Sequence, residues 1–296
     1  MYNNKMSFTK RTIKTLWTVT VLVTAAAWYT WNYQTATIPT GDILSVSFLD
    51  VGQGDAIYIR TPNQTDVLID GGPDDSVIND LHQVMPSSDH DLDFIIETHP
   101  DKDHIAGLSE VFEQYRVKKF LHSEITSGTS FDISLRNHAT DEVGLEQITA
   151  RRGQRIILDP QYGIYLDILF PDRDTSNFKE TNDASIVARL VYGETSFLLT
   201  GDSPSSVEHT LVQTGEPLLS TVLKLGHHGS KTSSSNEYLD AVRPSYAIVS
   251  AGKNNRYHHP NPETVSRVTS RGIQILSTID QGTITMESNG KSVWVK

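Results

Sequence analysis

Residues 99–104 form the densest cluster of chemistry-bearing side chains. They read His-Pro-Asp-Lys-Asp-His, which places four possible metal ligands within six residues. The chain has no cysteine, so a metal ion would be held by imidazole nitrogens and carboxylate oxygens, a ligand set that suits zinc or manganese. Asp101 or Asp103 could instead cap a helix that starts near Ile105, but capping explains only one of the four side chains. We therefore predict a metal site in this segment.

Further candidate ligands follow apolar runs that are typical of buried strands. Asp70 follows Val-Leu-Ile, Asp202 follows Phe-Leu-Leu-Thr-Gly, and His227 and His228 follow Val-Leu-Lys-Leu-Gly. Because open α/β sheets place their sites at the carboxyl ends of strands, these residues are predicted to converge on the first cluster. The sequence alone does not separate His227 from His228, and we choose His227 as the ligand because it follows the strand directly.

The elements that must position these residues are mostly strands. Strand-like runs are predicted at residues 43–49, 56–60, 67–69, 94–96, 164–170, 186–192, 196–199, 222–225, 246–250 and 274–276. Helical spacing is predicted at 75–84, from 105 onward, and at 204–212, 236–242 and 262–271. Strands followed by strands, and then strands alternating with helices, favour a layered α/β protein. Residues 123–152 are weakly patterned, so we predict a loop with one short helix that rims the site.

The spaced motifs resemble those of a known family. They are Asp-Val-Gly-Gln-Gly-Asp at residues 50–55, Thr-His-Pro-Asp-Lys-Asp-His at 98–104, Thr-Gly-Asp at 200–202 and His-His-Gly-Ser-Lys-Thr-Ser at 227–233. This order is similar to that of the extracellular hydrolase domain of ComEC-type DNA-uptake proteins, which have the metallo-β-lactamase fold. The Tyr-His-His-Pro run at 257–260 also resembles that group. The similarity runs from about residue 43 to the last residue, and Asp101 departs from it by replacing the middle histidine of the wider His-x-His-x-Asp-His signature.

The resemblance implies a four-layer αββα sandwich that binds two divalent metal ions, zinc or manganese. In that scheme His99 and Asp101 would hold one ion, while Asp103, His104 and His227 would hold the other and Asp202 would bridge them. Asp70 would orient the ligands, and the candidate catalytic residues are Asp70, Asp103 and His259. The superfamily has a further histidine where this chain reads Thr-Asn-Asp-Ala-Ser at 181–185, so Asn182 or water would complete the first metal site.

Such a centre would generate hydroxide near neutral pH and favours attack on a phosphodiester. The predicted substrate contacts are Gln53, Asp55, Asn182, His228, Ser230 and Lys231. Lys231 is the candidate phosphate contact, and His259 is a candidate leaving-group acid or phosphate contact. Residues 222–271 hold seven Lys and Arg against three Asp and Glu, which could attract a polyanion. Some of these cations, Arg267 and Arg271 especially, could equally be solvated residues on a helix face.

Three functions fit this pattern. The first is a nuclease or phosphodiesterase that cleaves DNA outside the cell. The second keeps the site but changes the substrate to a small or cell-wall phosphodiester, a β-lactam or another ester, and Asp101 argues against the β-lactam. The third is a non-catalytic surface or DNA-uptake assembly protein, which would be expected to lose its metal ligands. A net charge of −11 argues against coating nucleic acid with the whole surface.

The first 41 residues predict an attachment to the membrane. Four Lys and Arg precede residue 15, and residues 15–41 carry no charge. Residues 13–33 would span about 30 Å as a helix, enough to cross a bilayer. We predict a single-pass anchor (1–41, with its linker) and an extracytoplasmic hydrolase domain (42–296), with a separate DNA-uptake channel as a possible partner. A signal peptide cleaved after the three alanines at 25–27 is the alternative, and the protein would then be secreted.

Overall fold

The computed structural model describes residues 42–296. The predicted membrane segment and linker lie outside the described residues, so the anchor, the signal peptide and the cellular location stay predictions. Within residues 42–296, none of the helices has both the length and the apolar character that crossing a bilayer requires.

The first sheet has eight strands and carries the first group of site residues. Its strands are β1 (Leu44–Phe48), β2 (Ile57–Arg60), β3 (Asp66–Ile69), β4 (Asp91–Glu97), β5 (Arg116–His122), β6 (Glu146–Thr149), β14 (Ile284–Ser288) and β15 (Val293–Val295). Their order across the sheet is β15-β14-β1-β2-β3-β4-β5-β6. Strands β3 to β6 are parallel to one another, whereas β15, β14, β1, β2 and β3 pair antiparallel.

The second sheet has seven strands and carries the second group. Its strands are β7 (Arg155–Asp159), β8 (Ile164–Phe170), β9 (Val187–Tyr192), β10 (Thr195–Leu199), β11 (Val222–Lys224), β12 (Tyr246–Val249) and β13 (Gln274–Ser277). The order is β13-β12-β11-β10-β9-β8-β7. Strands β10 to β13 are parallel, so their carboxyl ends meet at one edge of the sheet.

The helices pack on these sheets in two groups. In chain order they are α1 (Ser76–Val84), α2 (Lys102–Ile105), α3 (Leu108–Gln114), α4 (Ser130–Asp141), α5 (Ser205–Gln213), α6 (Asn236–Val242), α7 (Pro262–Thr269) and α8 (Thr278–Gln281). Apolar residues of α1 to α4 form one core with the first sheet, and those of α5, α6 and α7 form another with the second sheet. Each sheet therefore has a layer of helices on one face.

The opposite face of each sheet is buried as well. Leu68 of β3 packs in the helix-facing core, while its neighbours Val67 and Ile69 point to the other face and are also buried. In β10, Leu198 faces the helices and Phe197 and Leu199 are buried on the other side. Such strands, apolar on both faces, are expected where two sheets pack between helices. The predicted mixed α/β architecture with two sheets is confirmed.

The sequence prediction was incomplete in the middle and at the end of the chain. Residues 123–152 were expected to be mostly loop, but they contain the twelve-residue helix α4 and the strand β6. Thr129 caps α4 by accepting a hydrogen bond from the amide of Asp132. The pattern also failed to predict β5, β7, β14 and β15. The helix expected from residue 105 onward is divided into α2 and α3 at Gly107, whose close packing is described below.

Candidate metal centre

Asp70, directly after β3, positions two histidines that follow β4. The amide and the hydroxyl of Thr98 donate hydrogen bonds of 2.8 and 2.7 Å to its carboxylate. The same carboxylate accepts a hydrogen bond of 2.7 Å from Nδ1 of His104. Since the Thr98 hydroxyl gives its proton to Asp70, it accepts from Nδ1 of His99 at 3.0 Å. Both imidazoles therefore carry a proton on Nδ1, and their Nε2 atoms are left to face the site.

His228 comes from the second sheet and is oriented in the same way. It lies in the turn of residues 226–229 that follows β11, and its Nδ1 donates to the carbonyl of Ser250 at 2.9 Å. A carbonyl only accepts, so the proton is on Nδ1 and Nε2 faces the site. His227 and His228 have φ angles of 48° and 54°, and Asp70 has 58°. Non-glycine residues seldom adopt this left-handed conformation, and such residues concentrate at functional sites.

These side chains converge on Asp202, which follows β10. Its Oδ1 is 3.4 Å from Nε2 of His104, and its Oδ2 is 3.5 Å from Nε2 of His228. Nε2 of His228 is also 3.3 Å from Asp103 Oδ2, and Nε2 of His99 is 3.7 Å from Asp101 Oδ2. We call the cluster formed by His99, Asp101, Asp103, His104, Asp202 and His228 the metal centre.

The donor atoms of the metal centre fit divalent cations. Within residues 42–296, Nε2 of His99, His104 and His228 and Oδ1 of Asp202 are buried without a hydrogen-bond partner. Buried polar atoms normally have a hydrogen-bond partner, so four such atoms that converge without one are expected to bind a cation. Ligands of a tetrahedral zinc ion, each about 2 Å from the metal, lie about 3.4 Å from one another. The distances between the donor atoms given above are close to that value. Two of the potential metal-ligand groups, one with His99 and one with His228, share His104.

The geometry favours His228 over His227 as a ligand. His228 is 1% exposed and belongs to two of the potential metal-binding groups, whereas His227 is 32% exposed and belongs to none among the described residues. Asn182 Nδ2 lies 3.5 Å from Nδ1 of His227, which places the His227 proton on Nε2. The nearest carboxylate atom to that Nε2 is Asp202 Oδ2, at 3.8 Å. His227 is thus placed on the open side of the centre.

Asp101 and Asn182 lie beside two histidines of the site, Asp101 beside His99 and Asn182 beside His227. The hydroxyl of Thr181 donates to Asp101 Oδ1 at 2.5 Å and holds that carboxylate beside His99. The Oδ1 atom of Asn182 is buried and is without a hydrogen-bond partner in the described part of the chain. The structure therefore brings Asn182 to the edge of the centre, where the sequence predicted a substitute ligand.

A buried lysine lies behind the metal centre. Lys224 of β11 is fully buried, and its ammonium forms an ion pair with the buried Asp55. It also donates to the Gly201 carbonyl at 3.3 Å and lies 3.9 Å from Asp202 Oδ1. The sequence analysis included Lys224 among the cations that could attract a polyanion. That prediction is wrong, because the Lys224 side chain has no exposed surface. Asp55, predicted to contact substrate, is likewise enclosed behind the centre, with its carboxylate also 3.4 Å from His228 Nδ1.

Carboxylates and histidines of the metal centre set each other's pKa values. Burial by itself lowers the pKa of His104, but Asp202 and Asp70 outweigh it and hold that pKa well above its usual range. Burial also opposes the charged form of His228, yet Asp202 and Asp55 raise its pKa to about 9. Burial would raise the pKa of Asp202, but His228 and His104 lower it well below its usual range. Protons and metal ions therefore compete for the same Nε2 atoms.

The remaining predicted contacts lie at different depths. His259 stands next to His227, with ring centroids 5.7 Å apart, and its buried Nδ1 has no partner within residues 42–296. Burial, His227 and His228 lower the pKa of His259 to about 4, so its ring is neutral at neutral pH. The Ser230 hydroxyl is hydrogen-bonded to that of Thr232 at 3.0 Å.

Lys231 and Gln53 lie outside the buried cluster. The Lys231 side chain is exposed, and its backbone carbonyl accepts from Arg267. Gln53 accepts from the amide of Gly252 at 3.3 Å and lines an open cleft beside Asp103. Arg267 and Arg271 have hydrogen-bond partners within the domain: Arg267 donates to backbone carbonyls of the 231–233 turn, and Arg271 donates to Asp240 at 2.7 Å.

Some residues that build the centre were not predicted from the sequence. Thr98 and the Ser250 carbonyl fix the histidine rings, and Lys224 compensates the buried carboxylates. Thr98 and Ser250 carry no distinguishing signal, because a hydrogen-bond partner can come from any neighbouring strand. Lys224 does carry one, since a lysine inside the apolar run Val-Leu-Lys-Leu must find a buried partner.

Two packed sheets with a cluster of histidines and aspartates at their strand ends define a class of metal-binding proteins, and comparison with known protein families identifies it. Residues 49–253 match the family model of the metallo-beta-lactamase superfamily. The chain belongs to this superfamily of metal-dependent hydrolases. The metallo-beta-lactamase fold protein YhfI from Bacillus subtilis superposes with a TM-score of 0.52 at 11% identity, covering 79% of this chain and 95% of that one. A likeness at so low an identity concerns the fold alone.

Curated relatives of this chain include competence proteins. ComE operon protein 3 of Bacillus subtilis (strain 168) is 31% identical over 258 residues, which are 81% of this chain and 32% of the relative. Competence protein ComA of Neisseria gonorrhoeae is 32% identical over 252 residues, 83% of this chain and 32% of the relative. The predicted resemblance to ComEC-type proteins is confirmed. The chain spans about a third of the length of these relatives.

Proposed function

We propose that this protein is a metal-dependent phosphodiesterase that cleaves DNA outside the cell. The observation that carries the proposal is the convergence of three buried, unpartnered imidazole Nε2 atoms on Asp202, within the described residues. The competence relatives favour DNA as the substrate. A non-catalytic protein would have no reason to keep such a costly set of buried polar groups.

The ligand assignment follows the orientation of the side chains. His99 and Asp101 would hold the first ion, with Asn182 Oδ1 as the remaining protein ligand, and Asp103, His104 and His228 would hold the second. Asp202 would serve both ions, since it belongs to one potential ligand group with His99 and to another with His228. Zinc or manganese, when bound, would supply the Lewis acidity that activates water and polarises the phosphate.

The chain's own residues would then bind and orient the phosphodiester. Asp70 holds the His104 ring through Nδ1 and keeps Nε2 aimed at the centre. His227 and His259 line the open side, where a phosphate would arrive. Because the pKa of His259 is lowered to about 4, it would contribute a hydrogen bond to the phosphate rather than a proton to the leaving group.

The location of this activity rests on the N-terminal sequence. A basic tip followed by an uncharged stretch supports a location of residues 42–296 outside the cytoplasm, where they would be either anchored by residues 13–33 or secreted after cleavage. A separate DNA-uptake channel protein would be the partner that receives a cleaved strand. Protease accessibility of the folded domain in intact cells, with and without permeabilisation, tests this placement.

Cleavage of labelled DNA by the purified full-length chain tests the activity. We expect cleavage that depends on added manganese or zinc and that falls at least about a hundredfold in Asp202→Asn. Asp280→Asn, an exposed carboxylate on α8, is the matched control and should cleave like the wild type. Bound metal without cleavage of DNA would shift the substrate to another phosphodiester or ester, and failure to bind metal would contradict the catalytic proposal.

A further inference from the structure

An open cleft adjoins the metal centre on one side. Its volume is about 410 Å³, and it is lined by Gln53, Lys102, Asp103 and residues 254–257. Asp103 belongs to both the cleft and the metal centre, because its Oδ2 is 3.3 Å from Nε2 of His228. Pockets of this size accommodate small organic ligands or one unit of a polymer. A ligand in the cleft would therefore lie against the metal centre.

One wall of the cleft presents an aromatic ring to solvent. Tyr257 is 50% exposed, and the Arg256 guanidinium lies 4.8 Å from the centroid of its ring. The ring is nearly parallel to that of His259, at 5.7 Å and 17°. His259 is followed by His227 at 5.7 Å, and His227 by His228 at 6.1 Å. A row of rings thus leads from the exposed tyrosine to a residue of the metal centre.

The combination of a cation and an exposed ring occurs a second time beside the cleft, at Lys102 and Phe131. Lys102 lines the cleft, and its ammonium lies 5.0 Å from the ring of Phe131, which is 37% exposed at the start of α4. Ile133, two residues further along α4, is 56% exposed. Among residues 42–296, Asp103 is the only acidic residue in the lining of this cleft, and it faces the metal centre. Outside the metal centre, the lining is neutral or cationic in a protein whose net charge is −11.

We infer that this cleft binds a single strand of DNA whose unpaired bases stack on Tyr257 and Phe131. Aromatic side chains stack on every base, but only when pairing leaves the base face accessible. Lys102 and Arg256 are placed to contact the phosphates between stacked bases, which attracts the strand locally despite the acidic surface. The inference rests on the proposed function and specifies its substrate as a single strand.

Fluorescence anisotropy with the full-length protein in EDTA tests binding apart from cleavage. The probes are a labelled oligothymidylate, an abasic strand of the same length and charge, and a duplex. We expect the oligothymidylate to bind more tightly than both others, and Tyr257→Ala to weaken its binding roughly tenfold, as loss of one stacked base does. Tyr257→Phe, which keeps the ring, should restore binding. Tyr165→Ala removes a ring that stacks with Arg155 away from the cleft and is the matched control.

Two results would overturn the inference. One is equal affinity for the oligothymidylate and the abasic strand or the duplex, and the other is unchanged binding by Tyr257→Ala. Tyr257 is half exposed, so its loss is not expected to affect folding, and equal thermal unfolding of both variants checks this. Failure of the proposed function would be seen separately, as absence of phosphodiester cleavage with metal, since anisotropy in EDTA does not depend on catalysis.

Discussion

At the scale of residues, the metal centre depends on what each histidine donates to. Nδ1 of His104 donates to a carboxylate, Nδ1 of His228 to a carbonyl and Nδ1 of His99 to a hydroxyl that has already given its proton away. Each of these partners accepts, and each therefore leaves Nε2 available. The sequence could place the histidines at strand ends, but it could not assign these partners, because Ser250 and His228 are 22 residues apart. For the same reason it could not choose between His227 and His228.

We predict that His228→Ala loses metal and His227→Ala retains it. Removing His228 takes away a ligand whose Nε2 has no other partner among residues 42–296, whereas Nε2 of His227 carries a proton. Elemental analysis of the purified variants after dialysis against limiting manganese or zinc measures the metal content. A His227→Ala variant that loses metal while His228→Ala keeps it would reverse the assignment.

We predict that Lys224→Met destabilises the protein by about 3–5 kcal/mol, because it removes the lysine partner of the buried Asp55 carboxylate. Combining it with Asp55→Asn should recover a large part of this loss, since both charges are then removed. Urea unfolding measures the free energy of unfolding of the single and double variants. Lys253→Met, an exposed lysine, is the control, and an equal loss in the double variant would argue against charge compensation.

At the scale of elements, close backbone packing holds the ligand-bearing helix. α2 carries Asp103 and His104, and Gly107 ends it against the loop after β3. A Cβ at Gly107 would lie 2.1 Å from the Gly71 carbonyl oxygen and 2.4 Å from that of Asp74. The carbonyl of His104 also accepts from the amide of Gly71 at 2.6 Å. The loop after β3 and the helix α2 are therefore packed in backbone contact.

We predict that Gly107→Ala destabilises the domain by about 2 kcal/mol or more, because the added methyl group would lie within van der Waals distance of two backbone oxygens and would force the backbone to shift. Glu113→Ala, an exposed position on the next helix α3, should change stability by less than about 0.5 kcal/mol. Thermal unfolding of both variants makes the comparison. Equal unfolding temperatures would show that the contact at Gly107 relaxes easily.

The elements predicted correctly share a strong local pattern. β3, β4, β10 and β11 are continuous apolar runs because both of their faces are buried, and the ligands follow them directly. α4 has only a narrow buried stripe, with Leu135 and Ala139, so its polar sequence resembles a loop. β5 mixes exposed lysines with buried positions and gives no clear period. The local sequence pattern thus predicted the strands that carry the site residues, but it did not predict α4 and β5.

At the scale of the whole molecule, the chain returns to its starting strand. β14 pairs with β1 so that Leu44 lies opposite Ser288 and Phe48 opposite Ile284. A contact between residues some 240 positions apart leaves no local signal in the sequence. For this reason no strand was predicted beyond residue 276. Without β14 and β15, β1 would be an edge strand with unpaired backbone groups.

We predict that ending the chain after residue 282 lowers the unfolding temperature sharply and promotes aggregation, because it exposes β1. Ending it after residue 291 removes only β15, whose loss leaves β1 paired, and should have a small effect. Differential scanning fluorimetry and size-exclusion chromatography measure the two outcomes. Similar melting of the two truncated chains would show that β14 contributes little.

The ligands of the metal centre come from both sheets, His99 and His104 from the first and Asp202 and His228 from the second. Metal binding and the union of the sheets are therefore thermodynamically linked. Each tenfold rise in free metal above the dissociation constant adds about 1.4 kcal/mol to the free energy of unfolding. In surroundings where metal is scarce, the same domain would be more easily digested by proteases, so its lifetime would follow the supply of the ion.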